Sequence, residues 1–227
     1  TARLIKRGLL VDLVGVTLNL QPAASNVLFG AETLLVTGRK TLLEHFAGIR
    51  LEIASDTFFQ VHTLQAEKLI PLLRAMLPDR PGALLDAYAG IGTFSLPLAC
   101  EQRPVLGIEQ HPASVALANA NARLNGVQTW CHYDAGDVAA LLQERLPAVC
   151  AVLLDPPRKG LERSVVDGLL ACPPERILYL SCDPATLARD LALLCAGVYR
   201  PLLVQPIDFF PNTSHVETLA VLERRQV

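Results

Sequence analysis

The chain has 227 residues, of which 51% are hydrophobic and 19% charged, and its formal net charge is -2. This length and hydrophobic content suffice for one α/β domain of ordinary size with a small appended region. The near-neutral charge excludes the overall basic surface of a protein that binds nucleic acid through charge alone. We therefore expect any contact with nucleic acid to be local.

The cysteines and the hydrophobic runs exclude further classes. The six cysteines form no CxxC pair and no ligand-like cluster, so we expect no metal site and mostly reduced core cysteines. No run approaches the roughly 20 apolar residues of a membrane span, and the amino terminus lacks the layout of a signal peptide. We expect a cytoplasmic protein that does not enter a membrane.

The first part of the chain has the pattern of a small β-rich region. Apolar and β-branched runs such as NVLFG, TLLVTG and IRLEIA alternate with the breakers QPAAS, GAE and GRK. We assign residues 1–60 to this region, and its abrupt start leads us to expect a truncated amino terminus. A helix is predicted over residues 61–77, which Pro71 should kink or divide.

From Ala83 onward, apolar strand candidates alternate with helical stretches. The strand candidates are ALLDAY, PVLGIE, QTWCHYD, AVCAVLLD and RILYLS, followed by a late pair near 202–207 and 217–223. This alternation predicts an α/β fold in which residues 61–227 form a doubly wound, Rossmann-like parallel sheet.

The segment LLDAYAGIGTFSL predicts a cofactor site. It has the pattern of a strand, a turn with Gly90 and Gly92, and an apolar helix, and such glycines let a ligand approach the backbone closely. Ser95 replaces the third glycine of a GxGxxG motif, so a pyrophosphate-binding dehydrogenase fits poorly. Glu109 ends the next strand, where it can accept hydrogen bonds from ribose hydroxyls. The pattern favours a nucleoside-bearing cofactor without a diphosphate, and an ordinary turn with a solvated glutamate is the alternative.

A thiol lies at the end of the fifth of these strand candidates. The run LYLSCDP brings Cys182 to the carboxyl end of the strand, and Asp183 and Pro184 can cap and open the next helix. The start of a helix stabilises a nearby thiolate, which is the nucleophilic form of cysteine. A structural role is the alternative, because free cysteines are among the most buried residues.

Four polar residues are candidate partners of this thiol or of the cofactor. Asp155 ends the fourth strand candidate, and the two prolines that follow hold its carboxylate at the same edge of the sheet. Asp137 either binds an adenine or caps a helix. Glu217 at the start of the last strand candidate is either functional or a surface residue, and Gln60 in FFQVH is either a polar anchor or a helix flank.

Together these motifs resemble the S-adenosylmethionine-dependent RNA uracil-5-methyltransferases. FFQVH, DAYAGIGTFSL, GIE, LLDPPRKGL, YLSCDPATLARDL and FPNTSHVETLAVL follow the order of that family and cover nearly all of residues 19–224. The resemblance implies that the cofactor or the target base is surrounded by Gln60, Tyr88, Thr93, Glu109, Asp137 and Asp155, next to the turn at Gly90. It also implies Cys182 as the nucleophile and Glu217 as the base. The chain departs from the family at His62, commonly asparagine, and at Ala89, commonly cysteine.

The implied reaction agrees with the chemistry of uracil. C5 is too weak a nucleophile to accept a methyl group unaided, so a thiolate must first add at C6. Cys182 can supply this attack, Glu217 can remove the C5 proton afterwards, and Asp155 can position the edge of the uracil. Arg158 or Lys159 is expected near a phosphate or an enolate oxygen.

The expected partner is a loop of transfer or ribosomal RNA from which the target uridine is flipped, because its reacting atoms otherwise lie within a base stack. Two alternatives stay open: RNA cytosine-5 methylation, and a noncatalytic role in RNA binding or cofactor sensing. Cytosine methylation needs the same thiolate addition, but the usual second cysteine of that family is missing from DPPR. Arg158 stands where amino-directed base methyltransferases typically carry a stacking aromatic residue, which disfavours amino methylation.

Overall fold

A computed structural model describes residues 13–22, 30 and 32–225 of the protein. Four strands come first: β1 (Gly15–Leu20), β2 (Glu32–Gly38), β3 (Thr41–Phe46) and β4 (Ile49–Ala54). β1 pairs with β2 and β3 pairs with β4, both in antiparallel fashion. The predicted β-rich region at the amino-terminal side is therefore confirmed, while the predicted strand NVLFG lies outside the described residues except for Gly30.

The sequence predicted β4 as the run IRLEIA, but it did not predict β3 or the hairpin that joins the two strands. The two-residue turn of the hairpin is Ala47–Gly48, and both residues have positive φ, 47° and 83°. Such a turn matches the twist of the two strands, but Asn-Gly is its usual sequence signal. The backbone of β4 is bound to the helix Pro112–Leu124, since Glu52 N donates to Asn121 Oδ1 at 2.7 Å. The predicted domain boundary after residue 60 stays a prediction.

Two short helices, α1 (Thr63–Glu67) and α2 (Leu69–Met76), lead into the main sheet. Pro71 lies in the first turn of α2, where its missing N–H group has no helical partner to lose. The predicted helix is therefore divided, as expected, and the break lies at Lys68.

The main sheet has seven strands in the order β10-β11-β9-β8-β5-β6-β7. They are β5 (Ala83–Asp86), β6 (Val105–Glu109), β7 (Cys131–Ala135), β8 (Val149–Leu154), β9 (Arg176–Ser181), β10 (Tyr199–Ile207) and β11 (Glu217–Arg224). The connections contain α3 (Pro112–Leu124), α4 (Val138–Arg145), α5 (Arg163–Ala171) and α6 (Pro184–Cys195), with 3-10 turns at Leu96–Leu98 and Leu146–Ala148. Strands β5 to β9 are parallel, and β11 is antiparallel to β9 and β10.

This topology confirms the predicted doubly wound sheet and determines where a ligand can bind. Alternate residues of β5 face two different cores, with Leu84 in one and Leu85 in the other, so helices cover both faces of the sheet. The strand order reverses at β5, which has β6 on one side and β8 on the other. In open α/β sheets, ligands bind at the carboxyl ends of the strands beside this switch point. Over the described ranges, no helix is long and apolar enough to cross a bilayer.

Candidate active site

The carboxyl ends of the parallel strands open onto a cavity of about 520 Å³. Eight of the residues predicted from the sequence line it: Gln60, Tyr88, Gly90, Glu109, Asp137, Asp155, Cys182 and Glu217. Thr93 lines a small adjoining cavity that shares Gln60 and Asp155 with the large one. The fold thus brings together all nine predicted residues, from segments that are far apart in the chain.

The glycine turn after β5 forms one wall of the cavity. Gly90 has a φ of 54°, and a Cβ on it would have no heavy atom of the described residues within 4 Å. Gly92, with a φ of 84°, is instead packed, because a Cβ there would lie 2.7 Å from Leu96 Cδ1 and 3.0 Å from Tyr133 Oη. The first glycine therefore leaves space for a ligand, and the second lets the turn pack onto the side chains beneath it.

Two carboxylates border this turn. Glu109 Oε2 accepts a hydrogen bond from Gly90 N at 3.0 Å, and its Oε1 accepts one from His111 N at 2.8 Å. Each oxygen keeps a second acceptor position, so the carboxylate is oriented and can still bind a hydroxyl. Asp137 caps α4 by accepting a hydrogen bond from Ala140 N at 3.1 Å, and it also lines the cavity. Its two predicted roles, capping a helix and binding an adenine, are therefore compatible.

The register of the sheet brings the thiol next to the last carboxylate. Thr218 of β11 lies opposite Ser181 of β9, so the neighbouring residues Glu217 and Cys182 lie at the same end of the two antiparallel strands. Asp183 Oδ1 accepts two backbone hydrogen bonds of 2.9 Å from the first turn of α6. The predicted cap of this helix is therefore confirmed.

Burial and carboxylates dominate the electrostatics around Cys182. Burial raises the pKa of the Cys182 thiol, and the carboxylates of Glu217 and Asp155 raise it further, while the Arg158 guanidinium opposes them. Burial also raises the pKa of Asp155. It raises the pKa of Glu217 as well, and the Arg158 guanidinium makes that increase smaller. The start of α6 was expected to stabilise the thiolate, but burial and two nearby carboxylates outweigh any such effect and favour the neutral thiol.

Sequence reasoning missed two residues of the site. Asp86 ends β5, is only 2% exposed and lines the small cavity, and burial raises the pKa of its carboxyl to about 7. Phe58 lines both cavities although it is 66% exposed. Two features of the sequence could have revealed these residues. Asp86 is the acid that ends the strand before the glycine turn, and Phe58 is the first aromatic residue of FFQVH.

The two departures from the family pattern have local explanations. His62 caps α1, since its Nδ1 accepts a hydrogen bond from Gln65 N at 3.3 Å. Asparagine is among the preferred residues for such a cap, so histidine here keeps that function. Ala89 is buried, and its N–H group donates to Ile108 O at 3.0 Å, a bond that does not involve a side chain.

All six cysteines are free, and their burial differs. Cys131 and Cys150 are buried as expected, whereas Cys100 is exposed and the other three are half-buried. Among the residues that the structure describes, no group of three or more His, Cys, Asp and Glu side chains could hold a metal ion.

Two family models match overlapping parts of the chain. The model described as tRNA (Uracil-5-)-methyltransferase matches residues 144–225, and the model of the TRM5/TYW2 methyltransferase domain matches residues 44–153. The first of these parts contains Asp155, Cys182 and Glu217, and the second contains the glycine turn and Glu109.

The chain is also similar to curated proteins and to solved structures. It is 47% identical to an uncharacterized RNA methyltransferase of Parasynechococcus marenigrum, over 92% of this chain and 46% of that protein. It is 49% identical to one of Thermosynechococcus vestitus, over 92% of this chain and 47% of that protein. The structure superposes with a TM-score of 0.78 and 26% identity on the tRNA (uracil-54, C5)-methyltransferase of Pyrococcus abyssi in complex with S-adenosyl-L-homocysteine, covering 93% of this chain and 51% of that one.

The chain therefore spans about half the length of the curated relatives it matches. The predicted cofactor, S-adenosylmethionine, agrees with the fold and with the ligand of the Pyrococcus abyssi enzyme, which is the demethylated form of that cofactor. In sequence and in fold, the chain is related along nearly its whole length to the S-adenosylmethionine-dependent RNA methyltransferases.

Proposed function

We propose that this chain carries the catalytic part of an enzyme that methylates C5 of a uridine in structured RNA, with S-adenosylmethionine as methyl donor. One observation carries the proposal: a thiol and two carboxylates, those of Cys182, Asp155 and Glu217, line the same cavity as the glycine turn. All three belong to the part of the chain that matches the uracil-5-methyltransferase model.

The residues of the cavity fit S-adenosylmethionine. The cavity has a volume of about 520 Å³, which is within the range of cofactor sites. Gly90 leaves open space beside the backbone, and Glu109 keeps free acceptor positions for ribose hydroxyls. The carboxylates of Glu109 and Asp155 suit a ligand that carries a positive sulfonium. When bound, this cofactor supplies an electrophilic methyl group for C5.

Cys182 acts as the nucleophile. The thiol first gives up its proton to solvent. The thiolate sulfur then forms a bond to C6 of the uracil, and the electron pair of the lost C5=C6 double bond is shared by C5 and O4 as an enolate. C5 then has the electron density to accept the methyl group. Asp155, in the same cavity, can accept a hydrogen bond from N3–H and hold the ring at the thiol.

Glu217 completes the reaction as a base. Methylated C5 still carries its proton, which the Glu217 carboxylate removes, so that the C5=C6 bond reforms and the sulfur leaves C6 as a thiolate. The register of β9 and β11 supports this assignment, because it keeps Glu217 beside Cys182. Burial raises the pKa of Glu217, which makes its carboxylate a stronger base than an exposed glutamate.

The substrate is a uridine that is flipped out of a loop of transfer or ribosomal RNA. The thiol lies inside a cavity lined by the sheet edge, which a base within a stacked helix does not reach. Phe58, exposed at the rim of this cavity, offers an aromatic face on which the flipped base or its neighbour can stack.

One alternative has support from the comparisons. The part of the chain that binds the cofactor in this proposal matches the TRM5/TYW2 domain, so methylation of a different atom of an RNA base is the competing function. Transfer to a ring nitrogen needs no covalent adduct with the enzyme. The dependence on Cys182 therefore separates the two functions.

The test uses RNA that contains 5-fluorouridine, because fluorine at C5 blocks the final proton removal and traps the adduct. We expect a covalent protein–RNA complex that requires S-adenosylmethionine, that maps to Cys182 by mass spectrometry and that is lost in Cys182→Ser. Cys195→Ser is the matched control, since Cys195 is also half-buried and lies at the far end of α6. Absence of an adduct with several structured RNAs, in protein that binds S-adenosylhomocysteine, would overturn the proposal.

A further inference from the structure

Three adjacent strands of the main sheet lead into an acidic residue at the same edge. Asp86 is the last residue of β5, and Glu109 is the last residue of β6, which is parallel to β5. On the other side of β5, Leu153 of β8 lies opposite Asp86, and Asp155 follows two residues later. Because the three strands are parallel, their carboxyl groups meet at the switch point of the sheet, where ligands bind.

Asp86 is the most buried of these acids, and it faces a cavity. It is 2% exposed and lines the small cavity together with Gln60, Thr93 and Asp155. Gln60 is 6% exposed, and within the described part of the chain its side chain has no hydrogen-bond partner. A buried amide without a partner costs free energy that a ligand can recover. The small cavity therefore has the polar lining of a binding site and not that of a packing gap.

The carboxyl groups around Asp86 are not neutralised by cations. Over the residues that the structure describes, no ion pair is formed by any of the four acids at this edge, which are Asp86, Glu109, Asp155 and Glu217. Arg158 and Lys159 line the large cavity but not the small one. Lys159 is paired with Glu162, and Arg158 lowers the pKa of Glu217. The charge that faces Asp86 from β6, β8 and β11 is therefore negative.

The polar groups near Asp86 add no positive charge either. The hydroxyls of Ser95 and Tyr133 belong to buried residues and are hydrogen-bonded to each other at 3.0 Å. The pKa of Asp86 is raised to about 7, mainly by burial and also by Glu109, while the Ser95 hydroxyl opposes the change. The pKa of Asp155 is raised in the same way by burial and by nearby carboxylates. These carboxyl groups therefore bind protons near neutral pH and ionise more readily when a positive charge enters.

We propose that Asp86 is a specificity-determining residue, through which the site prefers the charged methyl donor to the neutral product that remains after transfer. The sulfur of S-adenosylmethionine is positive and that of S-adenosylhomocysteine is neutral, while the two molecules share their other groups. The ionised carboxylate of Asp86, together with that of Asp155, attracts the positive sulfur. When the donor binds, Asp86 releases its proton to solvent, and it takes up a proton again once the charge has left the sulfur. The preference depends on the cofactor and not on which atom of the RNA is methylated.

The first experiment measures binding by isothermal titration, without RNA, at pH 5.5 and at pH 7.5. Each ligand is titrated separately into the wild type, and the ratio of the two Kd values is compared. Groups that the two ligands share titrate alike, so their effect cancels in this ratio. The ionised fraction of a carboxyl with a pKa of about 7 rises roughly twentyfold between the two pH values. We expect the preference for S-adenosylmethionine to rise by about tenfold, because Asp155 and Glu109 supply part of the attraction at both pH values.

A second measurement counts the protons. Titration at pH 7 in two buffers with different heats of ionisation gives the number of protons released on binding. We expect S-adenosylmethionine to release more protons than S-adenosylhomocysteine, because only its sulfur carries a charge that favours ionisation of Asp86.

D86N and D134N separate Asp86 from acids elsewhere. In D86N the side chain is neutral at every pH, so we expect the preference to stay at the wild-type value for pH 5.5. D134N is the matched control, because Asp134 lies on β7, is paired with Arg145 and lines neither cavity. Its preference should rise with pH as in the wild type.

A preference that is constant with pH in the wild type, or that rises equally in D86N, would overturn the proposal. So would equal strengthening of both ligands with pH, because Asp86 would then interact with a group that the two ligands share. All of these measurements are made without RNA. Failure to methylate uridine therefore refutes the proposed function and leaves the preference intact, and the converse also holds.

Discussion

Gly90→Ala tests whether the open space at the glycine turn is the cofactor site. Gly90 has a φ of 54°, and an added Cβ lies more than 4 Å from every heavy atom that could clash with it in the part of the chain that the structure describes. We therefore expect the methyl group to fit into the free protein. It would project from the wall of the cavity into space that a bound ligand occupies.

Gly126→Ala is the matched control. Gly126 follows the end of α3, has a φ of 69°, and also has open space around an added Cβ, but it does not line the cavity. Both substitutions place an alanine in the left-handed region, which costs roughly 1–2 kcal/mol. For a chain of this length, we expect each to lower Tm by roughly 2–8 °C. Only Gly90→Ala should weaken cofactor binding, by at least about tenfold in Kd, or about 1.4 kcal/mol.

The assay is isothermal titration of each variant with S-adenosylhomocysteine at a temperature well below both Tm values. Comparing the two variants removes the effect of backbone strain, because that effect is common to both. Equal Kd values for Gly90→Ala, Gly126→Ala and the wild type would refute the assignment of the turn to the cofactor site. Equal weakening in both variants would show that general destabilisation, and not the cavity, controls binding.

Three further predictions concern the base, a buried acid and a half-buried cation. Glu217→Gln should methylate RNA once and then remain bound to it through Cys182, which gel analysis under denaturing conditions detects; rapid turnover would exclude Glu217 as the base. The pKa of Asp86 is about 7 in the folded protein, against an ordinary value of 3.8. At a pH between these two pKa values the folded state binds more protons than the unfolded state, so the free energy of unfolding falls as pH rises through this window. Urea unfolding at pH 4.5 and 7.5 should therefore show that Asp86→Asn gains stability over the wild type at the higher pH only, on the order of 2 kcal/mol. Arg103 donates to three backbone carbonyls and to a thiol, so Arg103→Met should cost about 1.5–3 kcal/mol in the same unfolding assay, whereas Arg163→Met should cost less than about 0.5 kcal/mol.

The alternation of apolar runs and helical stretches was sufficient to predict the main sheet. All seven strands of the sheet form where the sequence predicted them. The inner strands β5, β8, β9 and β11 carry apolar runs that are buried on both faces of the sheet, whereas the edge strands β7 and β10 are partly exposed. The hairpin of β3 and β4 was missed because its Ala47–Gly48 turn depends on a left-handed alanine, which has no strong local signal.

The residues of the site could be named from motifs, but their mutual effects could not. The helix that follows Cys182 was expected to stabilise its thiolate, which is a local argument. The pKa of this thiol is instead raised by burial and by Glu217 and Asp155, which lie 35 and 27 positions away in the chain and become neighbours only through the sheet. Asp86 was overlooked because its burial depends on packing from several elements.

The sequence by itself determined the fold class, the order of the strands along the chain and the set of chemical groups available to the site. Those properties follow from local patterns of hydrophobicity and from residue type. Only the tertiary structure decided which of these groups share a cavity and which carboxylates face the thiol. It also decided that, among the residues the structure describes, Arg158 has no partner for its side chain while Lys159 is bound to Glu162. Burial, pairing and the resulting shifts in pKa depend on distances in space, and strand order and register set those distances.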